Sequence, residues 1–168
     1  AINYYQQAIQ AKNDYATAYF NLALLYSEKN DIEKTILNYK EALRILNNYK
    51  ESDGLKAQIL NNLGASFCEQ NQISKAIDNY NEAIIIQRKL IQENSNRYSQ
   101  DLINSLNSLG DLYSKIGESY KALNLYTEAL QICKDSVQGN PKGYLPDLAN
   151  TLNNIGSIYT HKIGIFFC

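Results

Sequence analysis

The apolar residues of this chain fall in short stripes at helical spacing, and the stripes come in pairs. Between Leu106 and Ala129, the residues Leu106, Leu109, Gly110 and Tyr113 lie at i, i+3, i+4 and i+7, which puts them on one side of an α-helix. Ala122, Tyr126, Ala129 and Cys133 do the same on a second helix. Lys115-Ile116-Gly117 separates the two, because glycine enters the left-handed conformation of a helix C-terminus without a Cβ penalty. The spacing predicts a helical hairpin whose two stripes face each other.

The pair recurs along the chain. Upstream it reads Tyr19, Leu22, Ala23, Tyr26 and then Thr35, Tyr39, Ala42, with Asn30-Asp31 as turn and cap. It returns as Leu60, Leu63, Gly64, Phe67 and then Ala76, Tyr80, Ala83, with Asn71 at the turn. Downstream, Leu152, Ile155, Gly156 and Tyr159 open a further copy whose second helix is not completed. At the start, Ala1, Tyr5 and Ala8 match Ala122, Tyr126 and Ala129, so residues 1 to about 12 are expected to be a second helix without its first. On this reading the natural protein extends further toward the N-terminus. The small residues at 23, 64, 110 and 156 are spaced by 41, 46 and 46 positions. The expected segments are therefore a partial repeat over 1–14, repeats over 15–53, 54–94 and 95–140, and a partial repeat over 141–168.

Polar breaks are expected at Asn13-Asp14, Ser52-Asp53-Gly54, Gln92 to Asn96 and Gln138 to Pro141, and the helix after Asp31 is expected to reach about Tyr49. Ile84-Ile85-Ile86 reads as helix, because the long helical window outweighs a three-residue strand preference. Each mid-helix glycine costs about 1 kcal/mol against alanine, so Gly64, Gly110 and Gly156 are expected where backbones approach closely. The recurrent tyrosines read as packing residues on the inward stripes. A stacking platform for single-stranded nucleic acid would need interleaved basic residues, and none accompany them.

The skeleton L-x-x-L-G-x-x-Y followed by A-x-x-x-Y-x-x-A resembles the tetratricopeptide repeat, with Leu106 where that family often carries tryptophan. The longer period, and Leu60-Asn61-Asn62-Leu63-Gly64, resemble the extended repeats of kinesin light chain; Asn140 to Leu148 resembles the linker of such repeats. The resemblance implies an all-α, right-handed α-solenoid of about eight helices in stacked antiparallel hairpins. It also implies a binding scaffold rather than an enzyme. A hairpin cannot bury both its stripes alone, so the repeats must stack.

Composition narrows the partners. Sixteen basic residues against seventeen acidic ones give a net charge of −1, without the basic stripe of a nucleic-acid binder. No apolar run approaches the roughly 20 residues that span a bilayer, and no charged-then-apolar leader opens the chain. Cys68, Cys133 and Cys168 fit no metal spacing and read as reduced thiols of a cytoplasmic protein. His161 is the only histidine, which removes an HExxH pair, and no phosphate-binding loop is present. A Cys168–His161 pair would lack an orienting third group and an oxyanion motif. No catalytic residue, metal or cofactor is expected.

The remaining candidate is the side of the first helices opposite the apolar stripe. There Asn104, Asn107, Asp111 and Ser114 cluster on a helical wheel. Their equivalents are Gln58, Asn61, Ala65 and Cys68, then Asn150, Asn153, Ser157 and Thr160, and in the first full unit Thr17, Phe20, Leu24 and Ser27. By resemblance this side lines a concave groove that takes an extended peptide. The amides of Asn61, Asn107 and Asn153 each offer a donor and an acceptor, and Phe20 and Leu24 would supply apolar pockets. Kinesin light chain carries a similar asparagine series. The lysines and arginines with which other family members clamp chaperone C-termini are not at these positions. The expected binding residues are Gln58, Asn61, Asn104, Asn107, Asp111, Asn150, Asn153, Phe20 and Leu24, and the expected partner is a protein or peptide. The alternative is a structural or regulatory array inside a larger signalling protein, packing on its own flanking domains or self-associating. Ile165, Phe166 and Phe167 stand where a solenoid end would be polar, and are expected to fold back or pair with another molecule.

Overall fold

A computed structural model describes residues 2–11, 15–47, 53–93, 95–137 and 141–166. Among these described residues there are eight α-helices and no strand: α1 (Ile2–Ala11), α2 (Ala16–Glu28), α3 (Ile32–Leu46), α4 (Asp53–Glu69), α5 (Ile73–Glu93), α6 (Ser95–Lys115), α7 (Ser119–Val137) and α8 (Pro141–Phe166). The chain is all-α and of the stacked-hairpin, α-solenoid class. It divides into two compact units, Ala1–Ala83 and Ile84–Cys168, with the division inside α5.

In the first unit α1 packs on α2, α2 pairs with α3, and α3 packs on α4. The expected stripes form the core: Leu22, Ala23, Tyr39, Ala42, Leu60, Leu63, Phe67, Ala76, Tyr80 and Ala83 are all buried. Tyr80 of α5 lies flat on Gly64 of α4; a Cβ built at Gly64 would stand 2.8 Å from Tyr80 Cε1. Glycine is thus required there by the ring of the facing helix.

The second unit repeats the arrangement. α6 pairs with α7, and α8 packs on both. Leu106, Leu109, Ala122, Tyr126, Ala129 and Cys133 are buried, and the ring of Tyr126 occupies the space a Cβ of Gly110 would need. At Gly156 the expectation fails. Among the described residues nothing lies within 4 Å of a Cβ there, and no tyrosine ring covers it as Tyr80 and Tyr126 cover the other two.

The turn inside each hairpin is built the same way three times. Asn30, Asn71 and Gly117 have φ of 58°, 56° and 83°. The amide after each reaches back to the aromatic residue of the preceding helix: Asp31 to Tyr26 O at 2.9 Å, Gln72 to Phe67 O at 2.8 Å and Glu118 to Tyr113 O at 2.8 Å. The left-handed residues bond back to Ser27, Cys68 and Ser114, which completes a Schellman C-cap. The carbonyls of Asp31, Gln72 and Glu118 then accept from Thr35, Ala76 and Ala122 and start the next helix. At Asp31 the carboxylate also accepts from Lys34 N at 3.2 Å and Lys34 Nζ at 2.7 Å, and these bonds hold its pKa below the usual carboxylate value.

Three expected breaks are shorter than the composition suggests. α5 runs through Gln92 and Glu93, and α6 is already helical from Ser95. Asp53 and Gly54 belong to the first turn of α4, where a carboxylate suits the positive end of the helix dipole. The segment from Pro141 to Leu148, expected as linker, forms the first two turns of α8. Proline at the first helical position lacks only an amide that would be unpaired anyway, and Pro146, further in, removes one rung and points to solvent. The expected breaks at 13–14, 138–140 and Ser52, and the chain between Asn48 and Tyr49, lie outside the described residues. So do Phe167, Cys168 and the side chains of His161, Ile165 and Phe166.

Candidate protein-binding face

The polar sides of α6 and α8 meet edge to edge. Three side-chain pairs run along their seam: Gln100 Nε2 donates to Asp147 Oδ2 at 2.6 Å, Asn107 Nδ2 to Thr151 Oγ1 at 3.0 Å, and Asn154 Nδ2 to Asp111 Oδ1 at 3.0 Å. The spacing on α6 (100, 107, 111) and on α8 (147, 151, 154) keeps each set on one helical side. Tyr126 of α7 also donates its hydroxyl to Asp111 Oδ1 at 2.6 Å. Burial and this carboxylate raise the Tyr126 pKa well above its ordinary value. Beneath the seam, Cys133 is fully buried; burial pushes its pKa up to about 11, the Asp147 charge adds to the rise, and a bond to Thr151 opposes it.

This geometry sorts the expected residues. Asn107 and Asp111 are engaged in holding α6, α7 and α8 together. Asn104, Asn150 and Asn153 are exposed on the same helices. In the first unit Gln58 is exposed and Leu24 is at the surface, whereas Phe20 is half-buried with its ring 5.9 Å from that of Tyr39. Asn61 is half-buried, and its Oδ1 is buried without a hydrogen-bond partner. Removing Asn61 and Asn107 would therefore disturb packing as well as surface. Sequence reading missed Gln100, Asp147, Thr151 and Asn154. They pair across non-equivalent repeat positions, so aligning the repeats does not bring them together. The polar i, i+4, i+7 set of 147, 151 and 154 was the available signal.

Elsewhere in the first unit, a cleft of about 290 Å³ lies between α3 and the α4–α5 turn, lined by Leu37, Phe67, Gln70 and Lys75 among others. Lys40 and Lys75 stand over the Phe67 ring at 5.7 and 5.6 Å. Among the described residues no group of three or more His, Cys, Asp or Glu is placed to hold a metal, and no helix is long and apolar enough to cross a membrane.

Stacked hairpins with small-residue approach points and repeated turn chemistry define a helical-repeat scaffold of the kind that serves protein–protein interaction. The chain belongs to the tetratricopeptide repeat family, whose sequence models match residues 14–89 and 105–136. Among solved structures it is similar to BtubC (BKLC) from P. vanneervenii, with 26% identity and a TM-score of 0.73 over 86% of this chain. The match spans 55% of the BtubC chain. It also resembles MamA, at 18% identity and a TM-score of 0.59, over 97% of this chain and 89% of that one; this likeness is one of fold. No curated protein matches the chain.

Proposed function

We propose that this scaffold binds an extended, uncharged or mildly basic segment of a partner protein along the polar sides of its first helices. The observation that carries this is the seam of α6 and α8. Three cross-helix pairs fix the two helices side by side and leave the amides of Asn104, Asn150 and Asn153 exposed next to them. Such amides pair a peptide backbone in either sense, and they stand on two helices already fixed side by side, which lowers the ordering cost of binding. In the first unit Gln58 and the surface of Leu24 and Phe20 offer the same mixture of amide and apolar contact. Asp111 makes the α6–α8 face mildly acidic.

The test begins with an unstructured peptide selected by panning on the wild-type protein and titrated calorimetrically. Each hydrogen bond is worth about 0.5–1.5 kcal/mol net, so Asn104→Ala, Asn150→Ala and Asn153→Ala together should weaken binding at least tenfold with the melting temperature unchanged. Equal affinity in the triple variant would move the binding surface elsewhere.

A further inference from the structure

In each of three hairpins a lysine of the second helix stands over an aromatic ring of the first. Lys34 lies 5.2 Å from the centre of the Tyr26 ring, Lys75 5.6 Å from that of Phe67 and Lys121 5.2 Å from that of Tyr113. The positions are equivalent in the repeat, but the lysine charge is not handled alike. The residue after the left-handed turn position is Asp31 in the first hairpin and Glu118 in the third. Each pairs with its lysine, at 2.7 and 3.5 Å. The second hairpin has Gln72 there. Its amide oxygen accepts from Lys75 Nζ at 2.6 Å, which satisfies one donor and leaves the charge uncancelled.

A second cation joins the same ring. Lys40 of α3 stands 5.7 Å from the centre of Phe67, and a ring face attracts a cation without cancelling its charge. Among the described residues neither Lys40 nor Lys75 forms an ion pair. Glu33, the carboxylate among the residues lining this cleft, is exposed and bonded to neither. Beside the two ammonium groups Leu37 is 59% exposed, and with Phe67 it gives the cleft an apolar floor. The residues equivalent to Leu37 and Lys40 in the next hairpin are Asp78 and Asn81, so the combination is not repeated there.

We propose that the cleft between α3 and the α4–α5 turn binds an acidic segment of a partner protein, with an apolar side chain on Leu37 and Phe67 and the adjacent carboxylate held by Lys40 and Lys75. Charge complementarity specifies the partner, because two cations without a counter-charge of their own favour a carboxylate and steer its approach. Both ammonium groups stand over one ring, and their flexible stems can close on a single carboxylate. The cleft volume of about 290 Å³ is at the small end for ligand pockets and suits one large side chain with its charged neighbour. The site shares no residue with the amide face, prefers the opposite charge and does not depend on that reading.

Fluorescence polarisation with the full chain and labelled, unstructured peptides tests it. The peptides set a leucine or a phenylalanine between glutamates, and their twins carry glutamine in place of glutamate. The expected result is saturable binding of the glutamate peptides that weakens as salt is raised, with the twins about tenfold weaker. Lys40→Gln and Lys75→Gln together, both at exposed positions, should also lose about tenfold with the melting temperature unchanged. Lys34→Gln, whose charge is already paired, should lose nothing. Gln72→Glu gives the second hairpin the acid of the other two and should weaken binding with both lysines in place. The variant with Asn104→Ala, Asn150→Ala and Asn153→Ala should bind these peptides like wild type, which separates this site from the amide face. Absence of binding at millimolar peptide, equal binding of the glutamine twins, or a double lysine variant that binds like wild type would each overturn the proposal. So would inorganic phosphate that displaces the peptide at equal concentration, which would make the cleft a site for any small anion.

Discussion

Three glycines that look alike in the sequence have opposite roles in the structure. At Gly64 and Gly110 the facing tyrosine ring stands where a Cβ would go, and overpacking of this kind costs about 1–3 kcal/mol. Gly110→Ala should lower the melting temperature accordingly. Gly156→Ala meets no neighbour and removes the helix penalty of glycine, so it should gain about 0.5–1 kcal/mol; thermal melts at micromolar dilution distinguish the two signs. The buried titratable groups set a pH limit at the same scale. Cys133, Tyr126 and Tyr39 all have raised pKa values, chiefly through burial. In the unfolded chain these groups lose their protons first, so the unfolded state binds fewer protons than the native state at alkaline pH and stability falls as pH rises. For Cys133 that fall begins near its ordinary value of 9.0 and runs to about 11. Melting temperatures across this range should decline, and the decline should be shallower in Cys133→Ala.

At the scale of the element, the turn inside each hairpin was readable because its chemistry is local. Asn30, Asn71 and Gly117 stand at one repeat position, and each is a residue that tolerates the left-handed region the structure assigns to it. Asn71→Ala should therefore cost about 1–2 kcal/mol, measurable by urea denaturation, whereas Asn71→Gly should cost nothing. The connections between hairpins were less readable. Gln92 to Asn96 and Pro141 to Leu148 have the composition of loops, yet helix takes up most of both. Gln92 and Glu93 are good helix formers in spite of their polarity, Pro141 is tolerated at the first helical position, and a segment buried on one side is held by tertiary packing: Tyr144 and Leu90 are both buried. The cross-helix ladder of Gln100, Asn107 and Asp111 with Asp147, Thr151 and Asn154 was legible only in part: helical spacing puts each set on one side of its helix, but no periodicity specifies which polar residue meets which.

For the whole molecule, the repeat class follows from the stripes alone, because a period that recurs through the chain tests itself several times over. Stability in such arrays is close to a sum of terms within repeats and between neighbours. Gly64 and Gly110 contact different rings, Tyr80 and Tyr126, so the losses from Gly64→Ala and Gly110→Ala should add within about 0.5 kcal/mol in the double variant; a larger coupling in denaturation experiments would show that the repeats communicate. The turns carry one more consequence. Three residues join α2 to α3, α4 to α5 and α6 to α7, while the distance from one small residue to the next varies between 41 and 46. Length drift is absorbed between hairpins and refused within them, because a longer turn would slide the tyrosine off its glycine. A graft or reporter insertion placed between Glu93 and Ser95 leaves both glycine–tyrosine pairs in register; the same insertion at Asn71 uncouples Tyr80 from Gly64. The natural cutting unit for building new arrays from this chain is therefore the hairpin with its turn intact, spliced at the ends of its second helices.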